Sequence, residues 1–179
     1  AGVVAPSLGG GRAFGLDLTR GRVQLRPVIG FLAGETYLYD DLTALENLRF
    51  TATMAGRPTS SADLERALLS VDLAGHENDR VRSFSSGMQR RLSVARTLLL
   101  NPRLLLLDEP YNSLDAAGAD LIDSTVQELV QQGGSTVLAT HDTDRALALA
   151  DLVAVLHRGS LAYFGSVAGY RMREVLHVG

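Results

Sequence analysis

Leu104-Leu105-Leu106-Leu107-Asp108-Glu109-Pro110 is the stretch on which the fold turns. Its continuous apolar run predicts a strand covered on both faces. The run ends in two adjacent carboxylates and a proline. In α/β sheets, ligands collect at the carboxyl ends of strands. Asp108 is therefore a candidate ligand for Mg²⁺ through water, because that hard ion takes oxygen donors. Glu109 is a candidate acceptor for a proton from an attacking water. The plain alternative is a strand that ends in an acidic turn, and the apolar run before the triplet makes the pattern more specific than a lone acidic pair.

The same reading extends in both directions. Val28 to Leu32 suits a buried strand, and Thr136 to Ala139 another. Upstream of the central strand, Thr43 and Glu46 form a capping-box pattern ahead of Leu45, Leu48, Ala52 and Ala55 at helical spacing. Gly56, Arg57 and Pro58 break that helix. Leu64, Leu68 and Val71 mark a second helix. A third starts near Ser85 to Gly87, with Leu92, Ala95 and Leu99 on one face, and ends before Asn101-Pro102. Downstream, Leu121, Ile122, Val126, Leu129 and Val130 outline a helix stopped by Gly133-Gly134, and Ala146 to Ala150 lie in another. Leu152 to Leu156 and Leu161 to Phe164 flank a turn and predict a hairpin. This order argues for an α/β sheet core with an inserted helical piece.

Composition narrows the function classes. The chain has 179 residues, 46% of them hydrophobic, and a net charge of -3. That length supports a sizeable core, and the charge gives no sign of a nucleic-acid binder driven by phosphate attraction. Cysteine is absent, which excludes disulfides, thiolate metal sites and cysteine nucleophiles. All 17 basic residues are arginine, so lysine chemistry is impossible in this chain. No apolar run approaches the roughly 18 residues that cross a bilayer. Ala1 to Pro6 does not read as a signal peptide, and Ala1 to Gly11 reads as irregular. Without an initiating Met, the chain is expected to begin downstream of the natural start.

Two further spots carry chemistry. Ser85-Ser86-Gly87 opens a helix, where backbone N–H groups and the positive helix end favour an anion such as phosphate. Alone, Ser85 reads first as an ordinary N-cap. Thr140-His141-Asp142 follows a strand, where His141 can donate to a terminal phosphate. Alone, it reads as a structural histidine at a strand end.

As an ordered set these residues resemble the ATP-binding-cassette (ABC) ATPase family, over roughly residues 10 to 165. Phe84 to Met88 is similar to the family signature, with Ser86 and Met88 where Gly and Gln are usual. Leu104 to Glu109 resembles the Walker B strand and catalytic glutamate, Ser113-Leu114-Asp115 the D-loop, and His141 the switch histidine. The resemblance implies a RecA-like P-loop NTPase core, partial because the first strands and phosphate loop are missing, with an inserted α-helical subdomain. The implied division is 1–35 for core strands and Q-loop, 36–101 for the helical subdomain with the signature, and 102–179 for the core with Walker B, D-loop and H-loop.

The resemblance also implies roles. Two subunits sandwich ATP with Mg²⁺. Glu109 activates water and His141 steadies the γ-phosphate. Ser85, Ser86 and Gly87 contact nucleotide on the partner subunit, and Asp115 communicates across the interface. Asp108 and Glu35 take the metal positions. Glu35 stands where the family has glutamine, which puts coupling to the membrane subunit in doubt, and its plain alternative is a surface loop residue. The phosphate loop requires G-x-x-x-x-G-K-[ST], which a chain without lysine lacks. Gly9-Gly10-Gly11-Arg12 instead resembles a turn and strand that follow the first helix, and arginine substitutes poorly for the missing lysine. The loop is expected upstream of Ala1, and this chain alone is expected to be inactive and to bind ATP weakly.

The segment Tyr39 to Leu48 and the Ser-Gly-Met signature look closest to the haem-exporter ATPase of cytochrome c maturation and related ABC-2 exporters. The expectation is an ATPase subunit of an exporter, peripheral at the cytoplasmic face of the cell membrane. Its partners would be a transmembrane permease and a second nucleotide-binding subunit, with no nucleic acid. The alternative is a degenerate cassette that donates only its signature to a partner, as the missing lysine and Glu35 favour. A soluble ABC ATPase of DNA repair or translation is disfavoured by the lack of heptads, a second cassette and a basic patch.

Overall fold

The computed structural model describes residues 7–177. The segment through Pro6, expected to be irregular, lies outside the described residues, and Ser7 to Gly11 carry no regular element. The chain forms two compact units, 1–139 and 140–179.

The first unit opens with a short antiparallel ladder, β1 (Arg12–Ala13) and β2 (Leu16–Asp17). A helical turn, α1 (Arg22–Leu25), leads through a 3₁₀ turn into β3 (Ile29–Leu32). Helices α2 (Ala44–Met54), α3 (Ser61–Leu69) and α4 (Ser86–Leu98) follow. Then come β4 (Leu104–Asp108), α5 (Ala116–Gln131) and β5 (Ser135–Ala139). Strands β3, β4 and β5 form one parallel sheet with β4 in the middle. The register sets Leu32 opposite Leu107 and Asp108 opposite Ala139, so the carboxyl ends of all three strands share one edge.

The helical starts follow the sequence rules. Thr43 accepts from the Glu46 N–H at 3.2 Å while the Glu46 carboxylate accepts from the Thr43 N–H at 2.8 Å, closing the expected capping box. Ser60 and Asp63 close a second box on α3. The apolar faces of α2, α3 and α4 then meet over Leu48, Leu64, Leu68 and Leu92, all buried. Each such leucine stabilises the fold by about 1.5–3 kcal/mol relative to exposure.

Helix α4 approaches β3 closely at Gly30. A Cβ there would lie 2.9 Å from the Thr97 Cγ2 and 3.1 Å from the Leu105 Cδ1, so no larger residue fits. This contact fixes the serine-bearing helix against the sheet.

One expectation needs correction. Strand β4 is not equally covered on both faces. Leu105 and Leu107 are buried beside Val94 and Leu98 of α4 and Ile122 of α5, whereas Leu104 and Leu106 are only half-buried. On the Leu106 face the paired Phe31 and Val137 are exposed. An unbroken apolar run carries no information about which of its faces a helix reaches.

The second unit holds α6 (Thr143–Leu149) and the expected hairpin, β6 (Leu152–His157) and β7 (Ser160–Ser166), paired antiparallel. A further helix, α7 (Val167–His177), was not anticipated. Its start is tied back by the Gly169 N–H to the Ser166 hydroxyl at 3.2 Å.

Candidate functional site

Asp108 is the last residue of β4, and its side chain is exposed. Glu109 follows in the left-handed region, φ 47°, so the chain turns sharply as it leaves the sheet. A non-glycine residue there costs roughly 1–2 kcal/mol and persists only when its surroundings hold it. Two bonds do so. The Glu109 N–H donates to the Ala139 carbonyl at the end of β5, at 2.8 Å. The Glu109 carbonyl accepts from the Arg90 Nη2 at 3.2 Å.

Arg90, on α4, is only 2% exposed. Its Nε donates to the Pro110 carbonyl at 3.2 Å and its Nη1 to the Ala33 carbonyl just beyond β3. Burial pushes its pKa below the usual guanidinium value. Arg96, two turns on, donates to the Tyr37 carbonyl, and the Ser93 hydroxyl reaches the Thr36 carbonyl at 3.5 Å. The loop that carries Glu35 therefore hangs on α4, with the Glu35 side chain exposed.

Ser85 is the N-cap of α4, and its hydroxyl accepts from the Met88 N–H at 3.2 Å. The first-turn amides of Ser86 and Gly87 have no intrahelical acceptor. Ser85 and Ser86 are exposed and Gly87 half-buried, so the positive helix end is open to an anion. A Cβ on Gly87 would lie 3.8 Å from the Ser113 carbonyl, which sets the helix tip beside the turn that leads to Asp115.

Asp115 caps α5, accepting from the Gly118 N–H at 2.8 Å. Arg91 bridges its carboxylate at 3.5 Å and that of Asp72 at 3.0 Å. The Gly118 bond, then Arg91, hold the Asp115 carboxyl below the usual aspartate range. Asp108, Glu109, the Ser85 tip, Asp115 and the Glu35 loop thus all attach to α4 or its neighbours in the first unit. His141 lies in the second unit, exposed, and its carbonyl accepts from the Thr143 N–H at 3.0 Å ahead of α6.

The sequence profile of the ABC transporter family matches residues 2–112. The chain belongs to the ABC transporter ATP-binding family. It is 31% identical over 170 residues to the ABC transporter ATP-binding protein NatA of Bacillus subtilis, covering 93% of this chain and 69% of NatA. It is 35% identical over 170 residues to the Fe(3+) ions import ATP-binding protein FbpC of Escherichia coli, covering 93% of this chain and 48% of FbpC. A third relative is the cytochrome c biogenesis ATP-binding export protein CcmA of Nitrosomonas europaea, 35% identical over 127 residues, which are 71% of this chain and 60% of CcmA. The chain thus spans about half the length of an import relative such as FbpC.

Among solved structures, the ATP-binding subunit of an ABC transporter aligns with TM-score 0.78 at 27% identity, over 90% of this chain and 68% of that one. A dimeric post-hydrolysis ATP-binding cassette bound to ADP and Pi aligns with TM-score 0.82 at 22% identity, over 93% of this chain and 76% of that one, a likeness of fold alone. The fold is the RecA-like P-loop NTPase α/β fold with its parallel sheet.

The ABC ATPase family binds ATP, generally with Mg²⁺. The donor set fits such an ion in part. Asp108 and Glu35 are exposed oxygen donors beyond adjacent parallel strands, and no cluster of three acidic or histidine groups gathers among the described residues. That suits a cation that keeps several waters and takes its remaining oxygens from a phosphate. A phosphate cradle does not fit. Gly9 to Gly11 lead into a strand rather than a helix, with open space around Gly9 and Gly10, and the sequence holds no lysine.

Arg90 and Arg96 escaped sequence reasoning. Their one signal was arginine at positions that helical spacing turns toward the apolar side of α4.

Proposed function

We propose that this chain is part of an ATP-hydrolysing subunit that drives a membrane transporter. One observation carries the reading. The edge where β4 ends presents exposed Asp108 and then Glu109, and the same turn is bonded to the helix whose open tip is Ser85 to Gly87. In this reading Glu109 accepts the proton of the attacking water, and Asp108 with Glu35 orients the waters of the metal. Mg²⁺, when bound, neutralises charge on the phosphates. Ser85, Ser86 and Gly87 donate to nucleotide held on a second subunit, Asp115 lies at the contact between subunits, and His141 donates to the terminal phosphate. The helical piece over 36–101 faces a transmembrane permease, and the subunit is peripheral to the membrane at its cytoplasmic face. No helix among the described residues is long and apolar enough to cross it.

Among the named relatives, FbpC is an import protein and CcmA an export protein. Export in cytochrome c biogenesis finds support in the likeness to CcmA over 71% of the chain. A degenerate cassette that donates only the Ser85 tip is the second reading, favoured by the absence of lysine and by Glu35.

Glu109→Gln separates the two. In the full protein assembled with its membrane partner, phosphate release should fall by about 10²–10⁴-fold while MgATP stays bound. Unchanged phosphate release would remove Glu109 as the base and leave the signature-donor reading.

A further inference from the structure

We infer that Arg90 is a positioning residue that sets the geometry of Glu109, locking the serine-tipped helix to the acidic turn through backbone carbonyls alone. The inference rests on Glu109 being the base.

Three observations carry it. Arg90 is almost wholly buried, and its guanidinium reaches the carbonyls of Ala33, Glu109 and Pro110. These belong to the chain leaving β3 and the chain leaving β4. No carboxylate among the described residues pairs with it, so its bonding capacity goes to main chain at the site's edge. Glu109 is also pinned on both sides of its Cα. Its N–H is fixed to Ala139, and its C=O accepts from Arg90 and, at a longer 3.3 Å, from the Asn112 N–H. With φ at 47°, the residue sits in a sparsely populated well, and loss of the Ala139 or the Arg90 bond lets it relax to an extended or right-handed conformation that aims its carboxylate elsewhere.

The planar fork of arginine matters here. Five N–H donors in one rigid plane can serve three carbonyls at once, whereas an ammonium on a flexible stem is a point donor that cannot hold the same three in register. A purely structural guanidinium would tolerate lysine with a loss of stability alone. A positioning guanidinium would not, because misplacing a catalytic group by about 1 Å can cost about 10²-fold in rate.

The test uses Arg90→Lys and Arg90→Gln in the full protein with its membrane partner, with MgATP as substrate. Folding is checked by thermal melting. The expected result is a kcat about 10- to 100-fold lower with KM for ATP within about threefold, since only the chemical step loses its geometry. With Glu109 already changed to Gln, adding Arg90→Lys should lower residual turnover no further, because the two act as one unit. A folded Arg90→Lys protein with kcat near wild type overturns the inference, as does full additivity with Glu109→Gln.

Should both variants fail to fold, amide exchange on the wild-type protein decides. Peptides spanning 108–112 should be protected together with α4. A turn that exchanges freely beside a protected α4 would overturn the lock. The failure of the base assignment is read separately, from Glu109→Gln alone. If that variant turns over normally, the site reading is wrong whatever Arg90 does.

Discussion

The first turn of α3 and the turn that follows β4 both lie at the end of an element, and they are held in different ways. At α3, Ser60 and Asp63 satisfy each other across three residues. After β4, the turn has one local bond of 3.3 Å from the Asn112 N–H to the Glu109 carbonyl, but its shorter bonds come from Ala139 on one side and Arg90 on the other, and the same arginine reaches back to Ala33. The first turn sits in relaxed geometry, with Ser60 extended at φ -76°. The second holds Glu109 at φ 47°. A turn that closes on itself forms wherever its four residues occur. A turn held from distant elements exists only in the assembled sheet, and that is what allows a strained carboxylate to be presented at an edge.

The largest effect that would sharpen this contrast is expected at Leu92. It is fully buried on α4 and has no polar contact with the site. Leu92→Ala should cost about 2–5 kcal/mol of unfolding free energy in a urea titration. Because the β4 turn depends on α4 keeping its place, turnover should fall as well. A variant that loses stability but keeps full turnover would break the contrast, since it would show the turn to be independent of helix packing.

The caps come next. Thr43→Ala and Ser60→Ala should each cost about 1 kcal/mol, read from the same titration. Since the two boxes share no residue and no hydrogen bond, the double variant should equal the sum within about 0.5 kcal/mol. Turnover should be kept. A strongly non-additive pair would mean that the two helix starts are as interdependent as the acidic turn.

The same contrast explains what was legible in the sequence. The capping box of α2, the N-cap at Ser85, the central strand and the hairpin follow from rules that act over two to four residues, and the structure has them at the expected positions. Sequence order alone also placed Asp108 and Glu109 at a strand end. Beyond its place on the apolar side of α4, nothing in the sequence marked the role of Arg90, because its partners are carbonyls, which every residue possesses. The half-open face of β4 was invisible for a related reason: Leu104 to Leu107 are alike, and only the approach of α4 and α5 distinguishes alternate members. The left-handed Glu109 had no local mark either, since neither glycine nor asparagine announces it.

Asp115 tests the boundary between the two kinds of turn, because it is held both locally and from afar. Its carboxylate caps α5 through the Gly118 N–H, and Arg91 reaches it from α4. Both lower its pKa from the ordinary 3.8, the local bond more than the distant one. A carboxyl with a depressed folded-state pKa contributes stability above its unfolded value and loses it as pH falls through the folded value. The contribution should therefore be complete at neutral pH, begin to fade near the ordinary 3.8 and be lost as pH falls through the depressed folded value. Asparagine keeps the cap but not the charge. Melting temperatures of wild type and Asp115→Asn should differ by a small, constant amount from pH 7 down to about 5, and the gap should close on further acidification. If the gap persists undiminished to pH 3, the charge contributes nothing and the cap alone holds the turn. In that case Asp115 belongs with Ser60, and the helix-to-turn connection through α4 narrows to Arg90.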